Sequence, residues 1–319
     1  MKKNILKPYH GILLLVLCLL SMVTISPYLG ARFGLYGSLI GECIFLLLSI
    51  GVAVVFHGDM HRVFPLKKPK LAPTIGTGLL WLGTFVGVMI ITLILSYFFP
   101  EQVIGVSQEL GAGFTSVPFA VSFVIVAIAP AICEESVFRG VVLNSFRPFR
   151  NKWIMIIGTG LIFGAFHGSI WRFLPTALLG MMLGYILVET DNLFYTALMH
   201  GINNAVPIVM LYGLQGVYNN PQMQAQMSVM TEQGVPLTSI AIYIIWGAMI
   251  PFCLYLGNHL LHQGMPGYAG DVFSKEKRKT LVLLVFLTIA IFVIGLGVFF
   301  YSLASNPEFI RQVLEQGVL

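Results

Sequence analysis

The chain has 319 residues, of which 57% are hydrophobic and only 10% are charged. Soluble domains carry about 25% charged residues, so this composition excludes a soluble domain and indicates a protein whose main solvent is lipid. The formal net charge of +5 is explained by basic residues in cytoplasmic loops, which are common in membrane proteins. No nucleic-acid partner is predicted.

Nine apolar stretches follow one another along the chain, at residues 11–29, 35–56, 74–99, 118–147, 153–170, 174–190, 193–213, 237–261 and 280–303. Most are long enough to cross a bilayer core of about 30 Å, which takes roughly 20 helical residues. Strands of a membrane β-barrel would alternate apolar and polar residues, whereas residues 12–20 are apolar without a break. The sequence predicts an all-α, polytopic bundle of about nine transmembrane helices, a multi-pass protein of the cell membrane.

Basic residues indicate the orientation, because short loops rich in Lys and Arg stay in the cytoplasm. A cytoplasmic N-terminus puts 15 of the 18 basic residues on that side, in four groups. The groups are Lys2, Lys3 and Lys7; Arg62, Lys67, Lys68 and Lys70; Arg139, Arg147, Arg150 and Lys152; and Lys275, Lys277, Arg278 and Lys279. The first stretch could instead be a cleaved signal peptide, but no small-x-small cleavage site follows it.

The distribution of polar residues divides the chain into three parts. Residues 1–117 hold N-terminal helices and a basic loop, residues 118–213 hold ionisable residues inside apolar stretches, and residues 214–319 hold an outer loop and two last helices. Gly160, Gly164 and Gly168 recur one helical turn apart, which favours close packing against a neighbouring helix. The four cysteines show no Cys-x-x-Cys spacing and are interpreted as apolar filler.

An ionisable side chain inside the hydrocarbon layer costs roughly 2.5 to 3.5 kcal/mol on insertion scales, so each one is expected to have a structural partner or a function. Such residues cluster in three segments, Glu134-Glu135-Ser136-Val137-Phe138-Arg139, Phe163-Gly164-Ala165-Phe166-His167 and His200-Gly201-Ile202-Asn203-Asn204. Glu135 and Arg139 share a helix face and can neutralise one another. Glu134 points about 100° away and lacks that partner.

Depth in the membrane tests whether these residues can act together. With cytoplasmic ends at Arg147, Lys152 and Asp191, a rise of 1.5 Å per residue puts three of the side chains roughly 20 to 22 Å from the cytoplasm and one roughly 13 Å. The three deep residues are Glu134, His167 and Asn204, and the shallower one is His200. We therefore expect the four to meet in one buried pocket. Taken singly, each is equally explained as a structural hydrogen-bonding residue between helices.

The ordered set Glu-Glu-x-x-x-Arg, Phe-x-x-x-His and His-x-x-x-Asn on successive predicted helices resembles the CPBP family of intramembrane endopeptidases. That family includes the CAAX prenyl-protein proteases and the bacterial bacteriocin-processing and self-immunity (Abi) proteins. The resemblance covers roughly residues 118–213, which it marks as a catalytic core. It leaves the helices on either side unmatched.

The resemblance implies proteolysis of a membrane-associated peptide or a lipid-anchored protein, with membrane lipid as the other partner. Glu134 and His167 would activate a water, His200 and Asn204 would stabilise the oxyanion, and Glu135 and Arg139 would support them. Zn²⁺ is a candidate cofactor, because Glu134, His167 and His200 are possible ligands. The sequence contains no His-Glu-x-x-His zinc motif, so a metal-free site is favoured and Zn²⁺ is left open.

Two other functions are compatible with membrane-embedded Glu and His residues. A proton-coupled transporter would use them as a proton relay, but no internal repeat relates the two halves of the chain. A non-catalytic scaffold that binds a sensor kinase or a secreted peptide would keep the fold without using the site. Glu42, in the second stretch, has no obvious partner and is expected to pair with a distant helix.

Overall fold

The structure is a computed structural model that describes residues 4–305 apart from residues 150, 219, 264, 266 and 269. Within that part of the chain the fold is all-α, and an isolated bridge between Asn4 and Gly58 is its only β-type pairing. The predicted fold class is confirmed. The first six helices are α1 (Pro8–Thr24), α2 (Ser26–Phe33), α3 (Leu35–Val55), α4 (Met60–Val63), α5 (Leu71–Phe98) and α6 (Pro100–Phe114).

The fourth apolar stretch forms one broken helix, Phe119–Phe146, which is the most buried of the candidate spans. It consists of α7 (Phe119–Phe123), a first π-turn (Val124–Ile128), α8 (Ala129–Glu135), a second π-turn (Ser136–Val142) and α9 (Leu143–Phe146). Pro130 lacks an N–H, so the α-helical hydrogen bond to the carbonyl of Val126 cannot form. The first π-turn lies where this proline disturbs the hydrogen-bond ladder.

The remaining helices complete the bundle. They are α10 (Lys152–Phe166), α11 (Ile170–Thr190), α12 (Leu193–Gly213), α13 (Gln215–Tyr218), α14 (Pro221–Gln233), α15 (Leu237–Gly247), α16 (Ile250–His262), a 3₁₀ turn (Lys275–Lys277) and α17 (Arg278–Ala304). Large apolar side chains of α17, including Val282, Phe286 and Val293, are exposed, as expected for a helix that faces lipid.

Six helices of the described residues are long and apolar enough to cross a membrane, and a seventh span results if α1 and α2, bent by 41°, are taken together. The protein is therefore a multi-pass membrane protein. Every predicted stretch is mainly helical, although residues 11–29 and 237–261 each cover two helices. α10 has only 15 residues, and α12, with its His200 and two asparagines, is not among the six. The number of about nine spans stays a prediction.

The predicted cytoplasmic segments meet at one end of the bundle. Asp191 is held by Lys67 at 2.9 Å and by Arg147 at 2.5 Å. Burial raises the pKa of the Asp191 carboxyl group, but the hydrogen bonds from Arg147 and Lys67 outweigh it and hold the pKa below its ordinary value. Arg139 does not belong to this end, because its side chain is fully buried inside the bundle, so its assignment to the cytoplasmic group was wrong. The side of the membrane on which this end lies stays a prediction.

Glycines set the distance between α10 and α11. A Cβ at Gly164 would lie 2.7 Å from the carbonyl oxygen of Phe173, and one at Gly160 would lie 2.7 Å from the backbone nitrogen of Met181. The packing role expected for these two glycines is confirmed. Gly168 differs, because it lies in the turn after α10 with φ +65° and open space around it. Its role is conformational, since a left-handed residue is needed there.

We expect Gly164→Ala to lower the free energy of unfolding by about 1 to 3 kcal/mol, because the added methyl group would push two packed backbones apart. Gly158→Ala is the matched control, since no atom lies within 4 Å of a Cβ built there. Thermal unfolding of the purified variants in detergent measures both. Equal unfolding temperatures for the two variants would contradict the close packing of α10 on α11.

Candidate functional site

Glu134 lies near the end of α8 and lines a cavity of about 220 Å³. His167 and, from α3, Glu42 line the same cavity. The side chain of Glu134 is 17% exposed, whereas that of its neighbour Glu135 is 2% exposed. The two adjacent glutamates thus point to different surroundings, as their 100° separation on a helix requires.

His167 follows directly after α10, and its ring orientation is fixed by its own helix. Nδ1 lies 2.9 Å from the carbonyl oxygen of Phe163. Because a carbonyl can only accept, Nδ1 carries the proton and a neutral ring presents the lone pair of Nε2. Phe163 also packs against the His167 ring at a centroid distance of 4.8 Å. His167 can therefore accept a hydrogen bond from a water in the cavity.

His200, on α12, lies between the two glutamates. Its Nδ1 is 2.9 Å from Oε1 of Glu135, and its Nε2 is 3.8 Å from Oε2 of Glu134. Phe163 contacts this ring as well, edge to face at 5.7 Å, so one aromatic side chain separates and supports both histidines. The structure thus brings His200 and Glu134 together, and His167 shares the cavity with Glu134.

A buried ion pair fixes His200 in place. Nη1 of Arg139 donates to Oε1 of Glu135 at 2.9 Å, and Nη2 donates to the carbonyl oxygen of Gly180 on α11 at 3.0 Å. The guanidinium carbon also lies 4.4 Å from the centre of the Phe163 ring. The pair between Glu135 and Arg139 expected from their spacing is formed, and Oε1 of Glu135 is held by both Arg139 and His200. Glu135 is only 2% exposed and does not line the cavity.

Asn204 lies one turn after His200 but is engaged in a different interaction. Its Nδ2 donates to the carbonyl oxygen of Val126 at 3.1 Å, the carbonyl that lacks an α-helical partner because residue 130 is proline. Asn203 donates to Oδ1 of Asn204 at 3.4 Å. One of the two amide hydrogens of Asn204 thus stabilises the broken helix, and the second remains available to another acceptor.

The donor set does not fit a metal ion as it stands. Within residues 4–305, as far as they are described, no group of three or more His, Cys, Asp and Glu side chains is arranged to hold one. We therefore derive no catalytic step through a metal. Whether Zn²⁺ is needed is tested by chelation.

Two charged residues near Glu134 were not assigned to the site by sequence reasoning. Glu42 lines the same cavity as Glu134, and Arg172, in the first turn of α11, is close enough for its charge to act on Glu134. The sequence does mark Glu42, because it is the one acidic or basic residue of an apolar helix, and such a position suggests function in a membrane. The sequence does not indicate its neighbours in the fold, because contacts between distant helices leave no spacing pattern.

Part of the chain matches a known protein family. Residues 116–206 match the family model described as "Type II CAAX prenyl endopeptidase Rce1-like". The matched segment contains Glu134, Glu135, Arg139, His167, His200 and Asn204. No curated protein and no solved structure matches the chain.

Arg139→Met is expected to lower the free energy of unfolding by about 3 to 5 kcal/mol, because it leaves the Glu135 carboxylate buried without its cation. The double variant Arg139→Met, Glu135→Gln should recover most of this loss, since the amide oxygen still accepts from Nδ1 of His200. Chemical or thermal unfolding in detergent gives both values. A double variant as unstable as the single one would contradict the pairing.

The contact of Asn204 with Val126 predicts a second coupling. Asn204→Ala should lower the free energy of unfolding by about 1 to 3 kcal/mol, the cost of one unsatisfied buried carbonyl. In a Pro130→Ala background the new backbone N–H can bond that carbonyl, so the same substitution should cost less. A double-mutant cycle measures the difference, and an identical cost in both backgrounds would refute this role for Asn204.

Proposed function

From the membership of this chain in the CPBP family of CAAX-type membrane endopeptidases, we propose that it hydrolyses a peptide bond of a membrane-associated peptide or a lipid-anchored protein. The reaction takes place in the cavity that Glu134 and His167 line. In this proposal Glu134 and His167 activate the water, and His200 and Asn204 stabilise the oxyanion. The membrane in which it acts is the cell membrane.

The observation that carries this proposal is the difference between the two adjacent glutamates. Glu135 is 2% exposed, and its Oε1 is held by Arg139 and His200, at 2.9 Å each. Glu134 has no salt bridge to Lys or Arg among the described residues, and it lines a cavity together with His167. A carboxylate that faces a cavity which also holds an imidazole ring is an arrangement suited to general-base hydrolysis of an amide.

The water is held between Glu134 and Nε2 of His167. Glu134 removes its proton as the oxygen attacks the scissile carbonyl, and it later passes that proton to the leaving amine. His167 keeps the water oriented, because its Nδ1–H is fixed to the Phe163 carbonyl and the ring cannot turn without breaking that bond.

The oxyanion would be stabilised by two donors on α12. Asn204 offers the amide hydrogen that Val126 does not use, and His200 offers Nε2–H when its ring carries a second proton. Glu135, which binds Nδ1 of His200, faces the positive charge of that ring. A donor of this kind is worth about 2.7 to 4 kcal/mol in a water-excluded site.

The test uses the full-length protein in lipid nanodiscs with a panel of membrane-associated and lipid-anchored peptides, and mass spectrometry of the products. We expect wild-type protein to cleave at least one peptide and Glu134→Gln to lower the rate about 10²- to 10⁴-fold, the contribution of a positioned general base. Glu101→Gln is the matched control, because Glu101 is exposed on α6. The cleavage rate of His167→Ala should be lowered as much as that of Glu134→Gln.

Folded Glu134→Gln protein with full activity would contradict the mechanism. A folded wild-type protein that cleaves no peptide of the panel would favour the scaffold. A chelator added to the same assay addresses Zn²⁺, since activity that survives exhaustive chelation excludes an essential exchangeable metal.

A further inference from the structure

The cavity that Glu134 lines extends beyond the residues with proposed catalytic roles. One of its walls is formed by α1, α2 and α3, which lie outside the family-matched segment 116–206. Along this wall Phe45 is buried, whereas Gly30 and Ser38 are exposed. The cavity therefore runs from a buried floor to a mouth at the corner where the chain turns from α2 into α3.

Two glycines on one face of α3 shape the space between the mouth and the floor. A Cβ at Gly37 would overlap the backbone carbonyl of Leu29, so α2 and α3 are in contact there. One turn further along α3, a Cβ at Gly41 would have a single neighbour within 4 Å among the described residues, Oγ of Ser26 at 3.8 Å. The two helices thus separate beyond Gly37, and the gap at Gly41 is part of the cavity.

The mouth and the Asp191 ion pairs lie at opposite ends of the bundle. Asn4, just before α1, lines a cavity together with Asp191. The 17 residues of α1 then carry the chain about 26 Å away from that end. α3 brings the chain back, because the backbone nitrogen of Asn4 donates to the carbonyl oxygen of His57, just after α3, at 2.9 Å. The corner between α2 and α3 is therefore at the far end.

His167 lies toward the same end as the mouth. Lys152, at the start of α10, bonds Glu189 at 2.6 Å, two residues before Asp191. The 15 residues of α10 carry the chain about 22 Å toward the opposite end, where His167 follows. The floor of the cavity is thus deep when measured from the Asp191 end and shallow when measured from the mouth.

The side chains beside the mouth are of a type found at a membrane surface. Tyr28 on α2 and Tyr36 on α3 are 65% and 49% exposed, and Arg32, between them in the sequence, is exposed as well. Tyrosine side chains collect where lipid headgroups meet water, and arginine places its charged head in the same layer. The mouth is therefore at a level that water and a soluble peptide can reach.

We propose that the substrate enters this cavity at the end of the bundle opposite the Asp191 ion pairs, through the mouth between α2 and α3. The basic residues of the loops put the Asp191 end in the cytoplasm, so the mouth faces the outside of the cell. The substrate is then a peptide, or a segment of a lipid-anchored protein, that has already been exported across the membrane. The position of the mouth is a property of the fold, whereas cleavage of an exported peptide rests on the proposed function.

Sided thiol labelling locates the mouth without any substrate. In full-length protein that lacks its four cysteines, Ser38→Cys introduces a thiol at the mouth. Lys68→Cys introduces one at the other end, where the neighbouring Lys67 bonds Asp191, and position 68 is exposed. A membrane-impermeant maleimide should label Ser38→Cys in right-side-out vesicles only and Lys68→Cys in inside-out vesicles only. Labelling of both thiols from one side, or of Ser38→Cys from the inside or from neither side in a folded protein, would overturn the proposal.

A substitution that fills the gap tests the route. Gly41→Leu should lower kcat/KM for a cleaved peptide about 10- to 100-fold, the size of steric exclusion from a pocket, whereas Gly51→Leu should retain it within about threefold. Gly51 is the matched control, because it lies on α3 outside the cavity and no described atom is within 4 Å of a Cβ built there. Thermal unfolding verifies that both variants are folded. Equal kcat/KM values in the two variants would contradict the route.

Cleavage in vesicles tests the substrate class. A peptide that wild-type protein cleaves in nanodiscs should be cleaved when it is added to right-side-out vesicles and should stay intact when it is added to inside-out vesicles. Cleavage in inside-out vesicles alone would overturn the assignment to exported substrates. If wild-type protein cleaves nothing in nanodiscs, the proposed function fails, and the labelling result still decides where the cavity opens.

Discussion

The buried chain from Arg139 through Glu135 to His200 is the interaction on which the site depends. A charge in the hydrocarbon layer is tolerated only when another group compensates it, and here each member compensates the next. Arg139 bonds Glu135 and the Gly180 carbonyl, and Glu135 bonds His200. Three helices are thereby joined, and the ring of His200 is held with Nε2 toward Glu134. Without this chain the ring of His200 would lose its fixed orientation toward Glu134.

The break in the helix that carries Glu134 and Glu135 complements this chain. Pro130 removes one backbone hydrogen bond, and Asn204 supplies a replacement from α12. π-turns on both sides of α8 widen the helix, and such turns are frequent at functional sites. Gly160 and Gly164 let α11 approach α10 closely enough to place His167 beside the same cavity. The polar site is thus assembled by backbone features that the apolar helices alone would not produce.

The sequence predicted those features that local spacing or composition controls. The all-α membrane fold followed from the apolar stretches, and the contact between Glu135 and Arg139 followed from their four-residue separation. Depth arithmetic placed Glu134, His167 and Asn204 at one level and His200 nearer the cytoplasm, whereas the structure brings His200 to Glu134 and turns an amide hydrogen of Asn204 toward Val126. The catalytic roles of these residues, and that of Asn204, are still predictions.

Features that depend on contacts between helices could not be predicted. No periodicity relates Glu42 to Glu134, or Asn204 to Val126, because each pair lies on helices far apart in the sequence. Arg139 was counted with the cytoplasmic basic residues because a charge count cannot distinguish a loop from a buried partner. Gly168 fitted the glycine spacing, yet it lies past the helix end, where the positive φ of the turn decides its identity.

The central claim is that Glu134 lies at a position inside the membrane-spanning bundle that water reaches. Cysteine accessibility tests it most directly, in a variant that lacks Cys18, Cys43, Cys133 and Cys253. A thiol introduced by Glu134→Cys should react with a small water-soluble methanethiosulfonate reagent, because only a hydrated thiol ionises and reacts. A thiol introduced by Ile132→Cys, at a side chain 54% exposed on the apolar outer surface, should not. A folded protein in which the thiol at position 134 is as unreactive as that at position 132 would contradict the account.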